Sequence, residues 1–153
     1  MNIEQRLNNL GITIPEVAKP LAAYVPALKA GEFVYISGQL PLREGKLVYS
    51  GKLGRDLSVE EGQRAAEICL INCLAALKSC IGSLDKVERI VKITGYVQSA
   101  DDFYEQPQVI NGASLLLEKI FGEKGIHARA AVGVNALPLN AACEVEMVVQ
   151  VRE

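Results

Sequence analysis

The sequence has no tryptophan, and its aromatic residues make up only 5% of the chain. Its core must therefore be aliphatic, and it has little with which to stack nucleic-acid bases. There is one histidine, His127, so no His pair exists and no Ser/His/Asp set can be assembled from motifs. At the entrance of a predicted strand, His127 reads as a surface or packing residue. No run of lysine and arginine occurs, and the net charge is −2. A nucleic-acid partner is thus not expected, because phosphate neutralisation supplies most of such affinity. No apolar run reaches the roughly 18 residues that a membrane-spanning helix needs. No basic start followed by an apolar run marks a secretory leader, so the expected location is cytoplasmic. No G-x-S-x-G, H-E-x-x-H, P-loop or G-x-G-x-x-G motif occurs.

The four cysteines are Cys69, Cys73, Cys80 and Cys143. None forms a C-x-x-C pair and none lies near His127 in sequence, so no metal site is expected. Cys69, Cys73 and Cys80 fall on one face of a predicted helix, where they read as small, reduced, buried hydrophobes.

What is present is a globular composition. The 153 residues, 50% of them hydrophobic, suffice for one domain over residues 1–153 with a core of its own. Residues 2–10 place Ile3, Leu7 and Leu10 on one helical face, and Gly11 stops the pattern. Residues 1–19 thus form a helical extension, continued by a connection marked by Pro15 and Pro20. Two β-rich runs follow, Tyr24 to Leu28 and Phe33 to Ser37, with a turn at residues 29–32, and they predict a hairpin. Pro26 lacks an amide donor and puts the first run at an edge. Residues 46–49 predict a short third strand.

Ser58-Val59-Glu60-Glu61 is a capping box opening a helix that runs to about Cys80, with Gly82 as its stop. Its apolar face is wide, which predicts burial against a sheet. Residues 88–98 alternate as a strand. Residues 101–121 read as mostly helix, with Pro107 near the first turn. Residues 128–135 predict another strand, and Cys143, Val145, Met147, Val149 and Val151 alternate with polar neighbours along the last one. The order predicts an α+β fold, a mixed sheet with two long helices on one face. No helix remains to cover the other face, so self-association is expected there.

Few residues carry possible chemistry. Arg129 lies among small apolar neighbours on a strand expected to be largely buried. It must pair with a carboxylate such as Glu144, or hold a ligand carboxylate in its guanidinium fork. Glu144 and Glu146 are two apart and share a sheet face. Such a pair is ordinarily solvated, but beside Arg129 one of them could orient a water. Ser37-Gly38-Gln39-Leu40-Pro41 ends a strand, with Gly38 read as a positive-φ position or as part of a cleft rim. Tyr24 and Asn111 are further polar candidates, Asn111 being a poor helix former within a helix.

Together these segments resemble the YjgF/Rid family of reactive intermediate deaminases, long labelled endoribonuclease L-PSP. The resemblance rests on the hairpin running into Ser37-Gly38-Gln39-Leu40-Pro41, on Ile90-Val91-Lys92-Ile93-Thr94, and on Asp102-Phe103. It continues through Ala128-Arg129-Ala130-Ala131-Val132, Leu137-Pro138 and Glu144-Val145-Glu146, covering residue 20 to the C-terminus. It implies a chorismate-mutase-like fold and a homotrimer with clefts between subunits. It also implies hydrolysis of 2-imino acids to 2-keto acids and ammonia without a cofactor. Arg129 matches the carboxylate-binding arginine and Glu144 the water-positioning glutamate. Tyr24, Ser37, Gly38, Asn111 and Ala131 match cleft positions. The run Ala23-Tyr24-Val25-Pro26-Ala27 lacks the polar residues that usually follow the tyrosine, and Ala131 stands where cysteine is common. These departures mark a divergent subgroup. Two alternatives follow the same clefts: a non-catalytic trimer binding a small carboxylate, and, ranked last, the endoribonuclease of the old label.

Overall fold

The computed structural model of the protein describes residues 1–17 and 23–153. Pro20 of the predicted connection lies outside them.

A five-stranded mixed sheet is built from β1 (Ala27–Ala30), β2 (Phe33–Gln39), β5 (Val87–Gln98), β6 (Ala128–Val134) and β7 (Cys143–Val151). The spatial order is β1-β2-β7-β5-β6. β5 and β6 are parallel, and the other pairs are antiparallel. A separate two-stranded piece joins β3 (Leu42–Arg43) to β4 (Lys46–Leu47), so the predicted strand at residues 46–49 pairs only with its immediate predecessor.

Two long helices, α2 (Val59–Ile81) and α3 (Gln106–Phe121), pack on one face of the sheet. α2 opens on the predicted capping box: Ser58 Oγ accepts from Glu61 N, and the Glu61 carboxylate accepts from Ser58 N. This satisfies donors that a helix start leaves orphaned. Gly82 closes it at φ +85°, a conformation that L side chains rarely adopt. Most of the span expected to be helical, residues 101–121, is helix, starting at Gln106. Residues 101–105 form a turn, in which Phe103 N donates to Ala100 O and the Phe103 side chain is buried. Helix begins only where Pro107 can sit in the first turn.

The short α1 (Ile3–Asn9) is present as predicted, with its own capping box at Asn2. Arg6 Nη1 donates to Ile120 O near the end of α3, and Ile3 N donates to the Asp85 carboxylate in the short turn before β5, tying α1 to both. Leu7 is its buried anchor.

The core is largely aliphatic, as the scarcity of aromatics requires, with Phe103 and Phe121 as its buried rings. Val145, Met147, Val149, Ile90, Ile93 and Val97 from the sheet meet Leu70, Leu74, Leu77, Ile110 and Leu117 from the helices. Cys69, Cys73 and Cys143 are buried among them, and desolvation holds the Cys69 and Cys73 thiols protonated. Cys80 is exposed, contrary to the helical-face expectation. The buried stripe advances by four-residue steps through Cys73, Leu77 and Ile81. It thereby drifts off the Cys80 position, because a turn takes 3.6 residues.

No helix among the described residues is long and apolar enough to cross a membrane. The sheet face away from the helices carries Glu144, Glu146, Val148 and Gln150 from β7, all only half-buried. On the same face Leu28 and Tyr35, which pair across β1 and β2, are 60% and 51% exposed. β6 is an edge strand and is half-buried to exposed along its length. That corrects the expectation of a buried strand around Arg129. Its apolar composition belongs to a sheet edge with no further strand beside it among the described residues.

Candidate functional site

The predicted site residues fall into two groups. The first gathers at the outer end of β2 and the start of β7. Between Ile36 and Gln39 the pairing of β2 with β7 slips by a residue, a bulge that bends the strand end. Ser37 lies in this bulge. Its backbone N donates to Pro26 O, and its hydroxyl donates to Val25 O at 2.7 Å. Ser37 thereby holds the segment carrying Tyr24 against β2. Tyr24 itself is 57% exposed and precedes β1. The first run of the predicted hairpin therefore starts at Ala27, after Pro26, which has no amide to give to a ladder.

Gly38 does not have a positive φ, contrary to one sequence reading. Its requirement is space. A Cβ there would meet the Glu144 carboxylate, coming within 2.8 Å of Cδ. Gly38 thus makes the bed on which the Glu144 side chain lies. Glu144 is half-buried, and its carboxyl is raised above the usual glutamate range, first by desolvation and then by the charge of Glu146. Glu146 accepts a 2.6 Å hydrogen bond from the Tyr96 phenol across the strand pair. That bond, burial and the Glu146 charge push the Tyr96 phenol up to about 12. Tyr96 therefore stays a donor at neutral pH.

The second group sits at the β6 edge on the helix side. Arg129 pairs in parallel register with Ile93, whose side chain enters the core. The two therefore point the same way, toward α3. Arg129 Nη1 donates to Asn111 Oδ1 at 2.8 Å and to Ser114 Oγ at 3.1 Å. Both acceptors are neutral. Among the described residues, no carboxylate lies within ion-pair distance of Arg129. The alternative of an Arg129–Glu144 salt bridge is excluded within the chain. Glu144 points to the opposite sheet face and lies two strands away, roughly 10 Å in the pairing direction. Ala131 follows two residues after Arg129, so it shares its face.

Asn111 therefore earns its place in the helix as an acceptor for the guanidinium. Sequence reasoning missed Ser114, one helical turn further along α3. The signal available was the three-residue spacing from Asn111, which puts both on one helix face. It also set His127 aside. His127 Nε2 is 2.9 Å from Ser114 Oγ, and its Nδ1 is 2.6 Å from Gly125 O.

The chain thus supplies a guanidinium fixed by neutral partners on one edge, and a half-buried carboxyl on the other sheet face. It does not bring the two together.

The family model of the YjgF/chorismate mutase-like proteins, which carries an endoribonuclease label, matches residues 4–151. Protein TCP17 of Trypanosoma cruzi is 42% identical over 149 residues, covering 97% of this chain and 93% of that protein. A 2-iminobutanoate/2-iminopropanoate deaminase of Dermatophagoides farinae is 29% identical over 138 residues, covering 90% of this chain and 93% of its own. A solved structure from Agrobacterium tumefaciens, of a protein with unknown function, superposes with a TM-score of 0.92 at 46% identity. It covers 98% of this chain and 92% of that one.

Proposed function

The chain belongs to the YjgF/chorismate mutase-like family, and from that premise we propose that it hydrolyses small 2-imino or enamino acids to 2-keto acids and ammonia, in clefts between copies of a homotrimer. The observation that carries this reading is the state of Arg129. Its Nη1 is engaged by Asn111 and Ser114, while no described carboxylate neutralises it. A half-buried guanidinium of this kind calls for an anion, and its remaining Nε–Nη2 edge matches a carboxylate. The mite relative that bears a deaminase name supports the reaction class.

The chemistry suits these residue types. An imine carbon is already electrophilic, so neither a strong nucleophile nor a cofactor is needed. Arg129 fixes the substrate carboxylate and so orients the C=N bond. Glu144, with its raised pKa, takes a proton from the attacking water and passes it to the leaving nitrogen. Water adds to the imine carbon, the C–N bond breaks, and the products are the 2-keto acid and ammonia. Tyr24, Ser37 and Gly38 shape the Glu144 side of the cleft, and Asn111 and Ala131 the Arg129 side. Because the two sides do not meet in one chain, a neighbouring copy completes each cleft. The uncovered sheet face and the free β6 edge are the surfaces that would join copies.

A non-catalytic carboxylate binder is the second reading. It is favoured by the loss of polar residues after Tyr24, and it needs Arg129 alone. Ribonuclease action is disfavoured by the net charge of −2, by the single histidine and by the scarcity of aromatic residues for base stacking. The deciding assay generates 2-imino acids from a panel of amino acids with an amino-acid oxidase, in the presence of semicarbazide. The wild type should suppress semicarbazone formation and Arg129→Ala should not. If neither protein suppresses trapping while the assembly is intact, the deaminase reading fails for these substrates, and carboxylate binding alone remains.

A further inference from the structure

We propose that Ser114 and His127 are positioning residues for Arg129. They form a relay that locks the guanidinium in one orientation and reserves its Nε–Nη2 edge for a carboxylate. The inference deepens the reading of Arg129 as a carboxylate site and depends on it only for the identity of the ligand.

The direction of every bond in the relay follows from its far end. His127 Nδ1 is 2.6 Å from Gly125 O, and a carbonyl can only accept. Nδ1 therefore carries the hydrogen, and in neutral His127 Nε2 is an acceptor. Ser114 Oγ, 2.9 Å from Nε2, must be the donor there. Its hydroxyl hydrogen being so committed, Ser114 faces Arg129 Nη1 with a lone pair, at 3.1 Å. The second Nη1 hydrogen goes to Asn111 Oδ1 at 2.8 Å. Both Nη1 hydrogens are thereby assigned, and the only edge of the guanidinium able to make two parallel bonds to a carboxylate is Nε–Nη2.

The relay is anchored in backbone packing. Gly125 is buried in the short 3-10 turn Gly122–Gly125 that follows α3, and a Cβ there would run into Leu117 O of that helix. The carbonyl that orients His127 is thus fixed to the same helix that carries Asn111 and Ser114. A surface arginine samples many rotamers, and ordering it on binding would cost conformational entropy. The relay removes that freedom before the ligand arrives.

Ser114→Ala and His127→Leu remove the relay at different links, and Ser114→Thr keeps the hydroxyl. Alanine is the stronger helix former, so α3 should be retained. With 13C/15N-arginine-labelled protein, assigned by means of Arg129→Lys, NMR reads the rate of rotation about the Arg129 Cζ–Nε bond without ligand. Calorimetry with 2-ketobutyrate reads affinity. Both disrupting variants should speed rotation about tenfold or more and weaken 2-ketobutyrate by about tenfold, while the melting temperature holds. Ser114→Thr should stay near wild type in both. Unchanged rotation in Ser114→Ala or His127→Leu would overturn the relay. If the wild type fails to bind 2-ketobutyrate, the carboxylate reading falls, and the rotation rates still decide the relay.

Discussion

Arg129 and Glu144 are chemically complementary, yet among the described residues their places in the sheet keep both out of any ion pair. The arginine has neutral partners, and its fork geometry matters as much as its charge. Arg129→Lys should therefore weaken 2-ketobutyrate about tenfold by calorimetry, since an ammonium cannot present two parallel donors. Glu144 has the opposite signature, a carboxyl whose protonated form is favoured by burial. A carboxyl with a raised pKa in the fold binds its proton more tightly folded than unfolded. Its contribution is most favourable below the usual glutamate value of 4.5 and is lost as pH rises through the raised value. Glu144→Gln, which is neutral throughout, should melt like wild type at about pH 4 and higher than wild type at about pH 8. Gly38→Ala tests the same side chain from below. The Cβ meets the mobile end of Glu144, so stability should fall by only about 1 kcal/mol. Deaminase activity should fall at least about tenfold, because the carboxylate is displaced from its bed.

At the scale of elements, what could be read from the sequence was what local chemistry encodes. The Ser58 capping box, the stop at Gly82, Pro107 in the first turn of α3 and the alternation of β7 all act within a few residues, and all lie where expected. What escaped depends on strand order. Nothing in residues 128–134 says that the strand is an edge, so Arg129 read as buried. A salt bridge from Arg129 to Glu144 within one chain, one of the alternatives, is likewise barred by β5, which comes between them. The link between Ser114 and His127 escaped for a similar reason, since it spans the turn that brings α3 back to β6. The contact of α2 with α3 was equally hidden. Gly112 lies where a Cβ would strike the backbone carbonyl of Gln63, with its carbon 2.8 Å away. Backbone cannot yield as a side-chain tip can. Gly112→Ala should thus cost about 1–3 kcal/mol and lower the melting temperature by on the order of 5 °C in calorimetry. It should also weaken carboxylate binding, because Asn111 is its neighbour.

At the scale of the whole molecule, the two half-sites and the two uncovered surfaces belong to one account. Gly38 and Glu144 lie toward the sheet face that no described helix covers, with Ser37 in the adjoining bulge and the Tyr24 segment held to it. Asn111, Ser114 and Arg129 lie at the edge that no described strand covers, where Val132 is 44% exposed. A cyclic arrangement that sets the edge of one copy against the open face of the next would finish every cleft and leave none half-made. Sharing of the site between copies can be tested by complementation. Arg129→Ala and Glu144→Gln are each prepared alone, then co-assembled in equal amounts and assayed for 2-imino acid hydrolysis. Each variant alone should be inactive. In random mixed assemblies about a quarter of the clefts receive both native half-sites, so about a quarter of wild-type activity should return. Mixed assemblies that form and remain inactive would contradict a site shared between copies.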